Sequence, residues 1–93
     1  MSDQERAVIT VLGEDRVGIV SGISQILAEN KVNILDLTSS KIQDLFVMVI
    51  IIDISNAAIN FNELQESLRL KGEKIGVQVT TQQENIFRYI HRV

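Results

Sequence analysis

Side chains and backbone amides that could hold a ligand converge on Gly13-Glu14-Asp15-Arg16-Val17-Gly18. The apolar run Val8-Ile9-Thr10-Val11-Leu12 precedes this stretch and reads as a buried strand. Beyond Gly18 the period turns helical, with Ile19, Ile23, Ile26 and Leu27 at i, i+4, i+7 and i+8. A strand therefore feeds a glycine-flanked polar loop and then a helix, whose first-turn amides point back at the loop. Such a place suits the carboxylate or phosphate of a small ligand. Each polar or special residue here has two readings. Gly18 either admits a ligand to the helix N-terminus or serves turn geometry and close packing. Asp15 either pairs with a ligand amino group or caps the helix. Arg16 either grips a carboxylate with both arms or is an exposed surface cation.

Catalytic chemistry finds little support. The 93 residues contain no cysteine, which excludes disulfides and thiolate zinc or iron-sulfur sites. His91 is the single histidine and has no acid at catalytic spacing, so its expected role is structural or at the surface. Ser21, Ser24, Ser39 and Ser40 lack the placed base that an activated nucleophile needs, and no pair of carboxylates shares an obvious cleft. No enzyme activity, metal or cofactor is expected. A net charge of −3 argues against a surface that neutralises nucleic-acid phosphates. An RNA-binding sheet would also need aromatics on its central strands, where only Phe46 is available. The longest apolar run, 45–52, is too short to span a bilayer, and the polar N-terminus lacks a signal-peptide core. A single domain over 1–93, in the cytoplasm and away from membranes, is the expectation.

The elements that must position the loop follow in order. The first strand covers 8–12 and the first helix 18–29. Asn30-Lys31 stops that helix, with Asn30 suited to the left-handed position. In Val32-Asn33-Ile34-Leu35-Asp36-Leu37 the apolar alternation slips by one at Ile34-Leu35, which sends side chains to the opposite face unless a bulge absorbs it and predicts a strand that bends, at an edge of the sheet. Residues 38–43 extend it to a hairpin turn at Gln43-Asp44. Residues 45–54 run without alternation and read as a central strand. Being apolar on both sides, it needs both faces covered, most simply by a second copy of the chain. Asn60 and Glu63 form a capping-box pattern. Phe61, Leu64, Leu68 and Ile75 then mark the stripe of a second helix that Gly76 ends. Residues 77–82 alternate as a fourth strand, and 84–93 carry Ile86, Phe87, Ile90 and Val93 at helical spacing. The order predicts an α+β, ferredoxin-like βαββαβ sandwich. Its four-stranded antiparallel sheet has the first and third strands central, and a short C-terminal helix follows.

The strand-loop-helix 8–20, the 32–37 segment and the 43–48 hairpin together resemble the ACT domain over almost the full chain. A strand ending in Gly-x-Asp-Arg-x-Gly-Ile, with Asn-Ile-x-Asp about a helix later, carries the resemblance. The ending 84–93 is similar to that of small stand-alone ACT proteins of uncharacterised function. The resemblance implies a regulatory module that binds an amino acid between the loop of one subunit and the second strand of a neighbour. It places ligand contacts at Asp15, Arg16, Val17, Gly18 and Ile19, and at Asn33, Ile34, Leu35 and Asp36. Asn33 offers both a donor and an acceptor, or bonds the local backbone. Asp36 either orients the bend or meets a ligand amine. The implied partners are a second copy or higher homo-oligomer, an amino acid or similar small molecule, and a regulated enzyme or transcription regulator. The alternative is an assembly subunit that binds protein and no ligand.

Overall fold

The computed structural model describes residues 5–14 and 17–91. Its elements are β1 (Arg6–Glu14), α1 (Ile19–Glu29), β2 (Asn33–Ile42), β3 (Leu45–Asp53), α2 (Phe61–Ile75), β4 (Gln78–Gln83) and α3 (Glu84–His91). The strands form one sheet in the order β2-β3-β1-β4, with every neighbouring pair antiparallel. This is the ferredoxin-like βαββαβ sandwich, and the first and third strands are central as their apolar runs require.

Alternation along the strands divides the sheet into two faces. On one face Ile9 and Val11 of β1 and Met48, Ile50 and Ile52 of β3 are fully buried against Ile19, Ile23 and Leu27 of α1 and Leu64 and Leu68 of α2. Each such side chain contributes about 1.5–3 kcal/mol of burial. The helical layer does not extend evenly over the sheet. All ten residues of the edge strand β2 are exposed, although Ile34 and Leu37 stand opposite Ile52 and Ile50 of the buried face.

The predicted slip in β2 is a bulge. Ile34 pairs with Ile52 and Asp36 with Ile51, so Leu35 is the extra residue. The Gln43-Asp44 turn is present, with Gln43 at φ 56°. At the α2 N-terminus Asn60 Oδ1 accepts from the Glu63 amide at 2.8 Å. Glu63 Oε1 accepts in return from the Asn60 amide at 3.2 Å, completing the capping box. Gly76 ends α2 in the left-handed region.

One helix end differs from expectation. Asn30 is not left-handed: its φ is −107°, and Lys31 takes the positive φ of 59°. The cause is the Asn30 side chain, whose Nδ2 donates to the Ile26 carbonyl at 2.9 Å. That bond caps the last turn with Asn30 in place and moves the reversal one residue on.

Candidate functional site

Gly18 is the N-cap of α1, at φ 92° and ψ 0°, and as a glycine it brings no capping side chain of its own. A β-carbon there would meet only Ser21 Oγ, at 3.9 Å, so positive φ rather than crowding selects glycine. The Ser21 hydroxyl turns back to the Gly18 carbonyl at 3.3 Å. Val17 is fully exposed, while the Ile19 side chain is 2% exposed and belongs to the core. Ile19 can therefore offer a ligand only its backbone amide. Asp15 and Arg16 lie outside the described residues.

A groove of about 620 Å³ opens beside this helix start, lined by Val17, Gly18, Ser21, Gly22, Gln25, Lys71 and Ile75. Its floor exists because Gly22 brings α1 close to α2. A β-carbon at Gly22 would sit 3.0 Å from Ile75 Cδ1. The groove thus adds a lysine ammonium and a glutamine amide to the first-turn amides, a set that suits a carboxylate. Lys71 carries no local signal in sequence, because only the packing of α2 on α1 brings it to Gly18.

Asn33, Ile34, Leu35 and Asp36 are all exposed, with Ile34 at 40% and Leu35 at 42%. Asp36 is engaged in the bend: its Oδ1 accepts from the Leu37 amide at 2.8 Å. A single chain does not bring these residues to the loop. Asn33 pairs with Asp53, which pairs with Arg6 at the start of β1, whereas Glu14 at the end of β1 pairs with Leu45, opposite Ile42. The nine residues of β1 make eight rises, so the two halves of the expected site are separated by about 27 Å along the sheet.

Among the described residues no group of three or more His, Cys, Asp or Glu is placed to hold a metal. No described helix is long and apolar enough to cross a membrane.

Known proteins share both the sequence and this architecture. The family model of the ACT domain matches residues 5–82. A UPF0237 protein of Methanocaldococcus jannaschii is 50% identical over 88 residues, covering 95% of this chain and 98% of that protein. A UPF0237 protein of Methanopyrus kandleri is 48% identical, again over 95% of this chain and 98% of its own length. Among solved structures, an ACT domain protein from Streptococcus pneumoniae superposes with a TM-score of 0.79 at 30% identity, covering 91% of this chain and 96% of that one. The match to a small domain at nearly full length on both sides, together with the Gly18 loop and the bulged β2, leads to one conclusion: this chain belongs to the ACT domain family, typically regulatory modules that bind small molecules.

Proposed function

We propose that this chain is a non-catalytic regulatory module that binds an amino acid at a homodimer interface and modulates amino-acid metabolism through a regulated enzyme or transcription regulator. The observation that carries this reading is the edge strand β2, exposed along its whole length with Ile34, Leu35, Leu37 and Ile42 each between 38% and 59% exposed. An uncovered edge of ten residues, four of them large and apolar, is a template for pairing. If two copies pair β2 antiparallel about a twofold axis through the strand middle, residue 33 of one meets residue 42 of the other. That places the partner's 33–36 segment at the Ile42 end, which is the end where β1 runs into the Gly18 loop. The second chain thereby removes the 27 Å offset along the strands and leaves the sideways span from β1 across β3 and β2, about 14 Å, for the Gly18 loop and the ligand to bridge. In this pairing Asp36 stands opposite Ser39 and Lys41 opposite Ile34, so no like charges face each other. The first-turn amides of α1 would take the ligand carboxylate, and Asn33 with the free oxygen of Asp36 would take its amino group.

The test is native mass spectrometry of the purified protein, followed by thermal melts with each of the twenty amino acids. A ligand at one hundred times its Kd stabilises by about 2.7 kcal/mol, which raises Tm by roughly 10–20 °C in a domain of this size. Leu37→Lys places charge on the pairing edge and is expected to abolish both edge pairing and the ligand shift. An assembled protein whose Tm no amino acid moves supports the ligand-free assembly subunit instead.

A further inference from the structure

We propose that the groove between α1 and α2 selects an amino acid whose side chain ends in a carboxylate, and that Lys71 reads that carboxylate, a reading that rests on the amino-acid site proposed above and names its ligand class. In that site the first-turn amides of α1 hold the α-carboxylate, and Asn33 and Asp36 of a second copy hold the amino group. The ligand's side chain is the part left to recognise, and the groove is the cavity beside it.

Among the described residues lining this groove, Lys71 is the one that carries a formal charge. The chain as a whole is negative, at −3, so a cavity of positive sign is a local arrangement that draws an anion. Lys71 is half-buried, and no described carboxylate pairs with it. The arginines differ: Arg6 and Arg88 hold Glu84 at 2.6 and 3.2 Å, and Arg69 holds Glu66 at 2.7 Å. On its other flank Lys71 borders a second groove that does contain acids, Glu29 and Glu73. Both are engaged elsewhere. Glu29 accepts from Gln25 Nε2 at 3.2 Å, and Glu73 pairs with Arg69. A partly desolvated ammonium without a counter-ion favours a ligand that brings one.

Packing holds the lysine in place. A β-carbon at Gly22 would lie 3.5 Å from Lys71 Cε and 3.7 Å from Lys71 Cδ. The aliphatic stem therefore rests on the bare backbone of α1, which leaves the charged head to the groove. Gly22 lies four residues beyond the Gly18 cap, about 6 Å along the helix axis. An anion at Lys71 is thus about one turn from the amides that take the α-carboxylate, a gap that the two acid groups of a dicarboxylic amino acid can span. Val17 and Ile75 line the same groove and offer apolar contact to the methylenes between those groups. One ammonium balances one carboxylate, whereas the second charge of a phosphate would be left uncompensated.

The experiment is calorimetric titration of the wild type, Lys71→Met and Lys71→Arg with L-glutamate, L-aspartate, L-glutamine and L-asparagine. Thermal melts with each of the twenty amino acids and native mass spectrometry accompany it. Methionine keeps an unbranched stem and the helix propensity while removing the charge, and ligand-free melts check that each variant folds. The expected result is that one acid binds the wild type about tenfold or more tighter than its own amide. Lys71→Met removes that preference by weakening the acid alone, and Lys71→Arg retains it. The acid-to-amide ratio is measured on the wild type, so a poorly folding variant does not protect the proposal. A neutral amino acid that binds the wild type as tightly as either acid overturns the role of Lys71 and leaves the amino-acid site standing. An acid preference that Lys71→Met leaves unchanged does the same. A wild type that binds none of the twenty overturns both. A monomer that binds the acid through Lys71 supports the ligand class and removes the homodimer interface.

Discussion

Replacing Gly72 with alanine sets two opposed effects against each other, and the structure says which wins. Gly72 lies inside α2, where alanine is favoured over glycine by about 0.8–1.0 kcal/mol. By helix propensity alone the variant should be more stable. Gly72 is buried, however, and a β-carbon there would sit 2.5 Å from Val79 Cγ2, 3.0 Å from the Val77 carbonyl oxygen and 3.2 Å from Val79 Cβ. Only the first of these contacts could be relieved by a side-chain rotation. The other two involve the path of β4 and its approach, which is tied down: the Gly76 and Val77 amides both donate to the Gly72 carbonyl at 2.8 Å. Relief therefore requires α2 to lift from β4, loosening the contact of Leu68 with the sheet. Overpacking of this kind costs about 1–3 kcal/mol. Because backbone is involved, the upper half of that range applies, leaving a net loss of about 1–2 kcal/mol after the propensity gain. In a domain of this size that lowers Tm by roughly 5–15 °C. Urea melts followed by circular dichroism should show a lower midpoint at unchanged slope. A Gly72→Ala protein as stable as the wild type, or more so, would refute the close-approach argument.

Three further outcomes follow from other sites. Gly18→Val loses about 1–3 kcal/mol of stability, because a branched residue is strained at φ 92°. Gly18→Asn, tolerant of that conformation, should melt within about 1 kcal/mol of wild type and is the cleaner probe of ligand binding by calorimetric titration. Asn60→Ala removes one half of the capping box and costs about 1 kcal/mol in a urea melt, with Glu63→Ala less than additive to it. Burial pushes the Glu84 carboxyl up, but hydrogen bonds and charge from Arg6 and Arg88 outweigh it and hold it below the ordinary glutamate value of 4.5. A depressed folded value means that the α3 tether is fully present above about pH 4.5 and is lost as pH falls through the lower folded value. Glu84→Gln should remove this acid-side loss, read from pH-dependent melts of both proteins.

Much of the fold is written in local pattern. The switch from period 2 to period 3.6 at Gly18, the slip at Ile34-Leu35, the Asn60–Glu63 pair and Gly76 are all decided within a few residues, by side-chain direction and by which backbone groups need a cap. Hence the element order, the bulge and the centrality of β1 and β3 were legible. The left-handed residue after α1 was misplaced for a local reason too fine for propensity: the Asn30 amide found the Ile26 carbonyl, and Lys31 took the turn.

What belongs to the tertiary structure alone is distance between segments far apart in the chain. The resemblance puts the Gly18 loop of one subunit and Asn33–Asp36 of its neighbour in one site; within a single chain, antiparallel pairing through β3 holds these segments at opposite ends of the sheet, because each strand reverses the direction of its neighbour. Lys71 joins Gly18 only through the packing of α2 on α1. Gly72 looks like a weak point in a helix until Val77 and Val79 are found against it. Residue types and spacings determined which groups could meet a ligand. The order β2-β3-β1-β4 decided which of them lie close together within one chain and which lie far apart, since a side chain's reach is a few ångströms and the sheet sets separations several times larger.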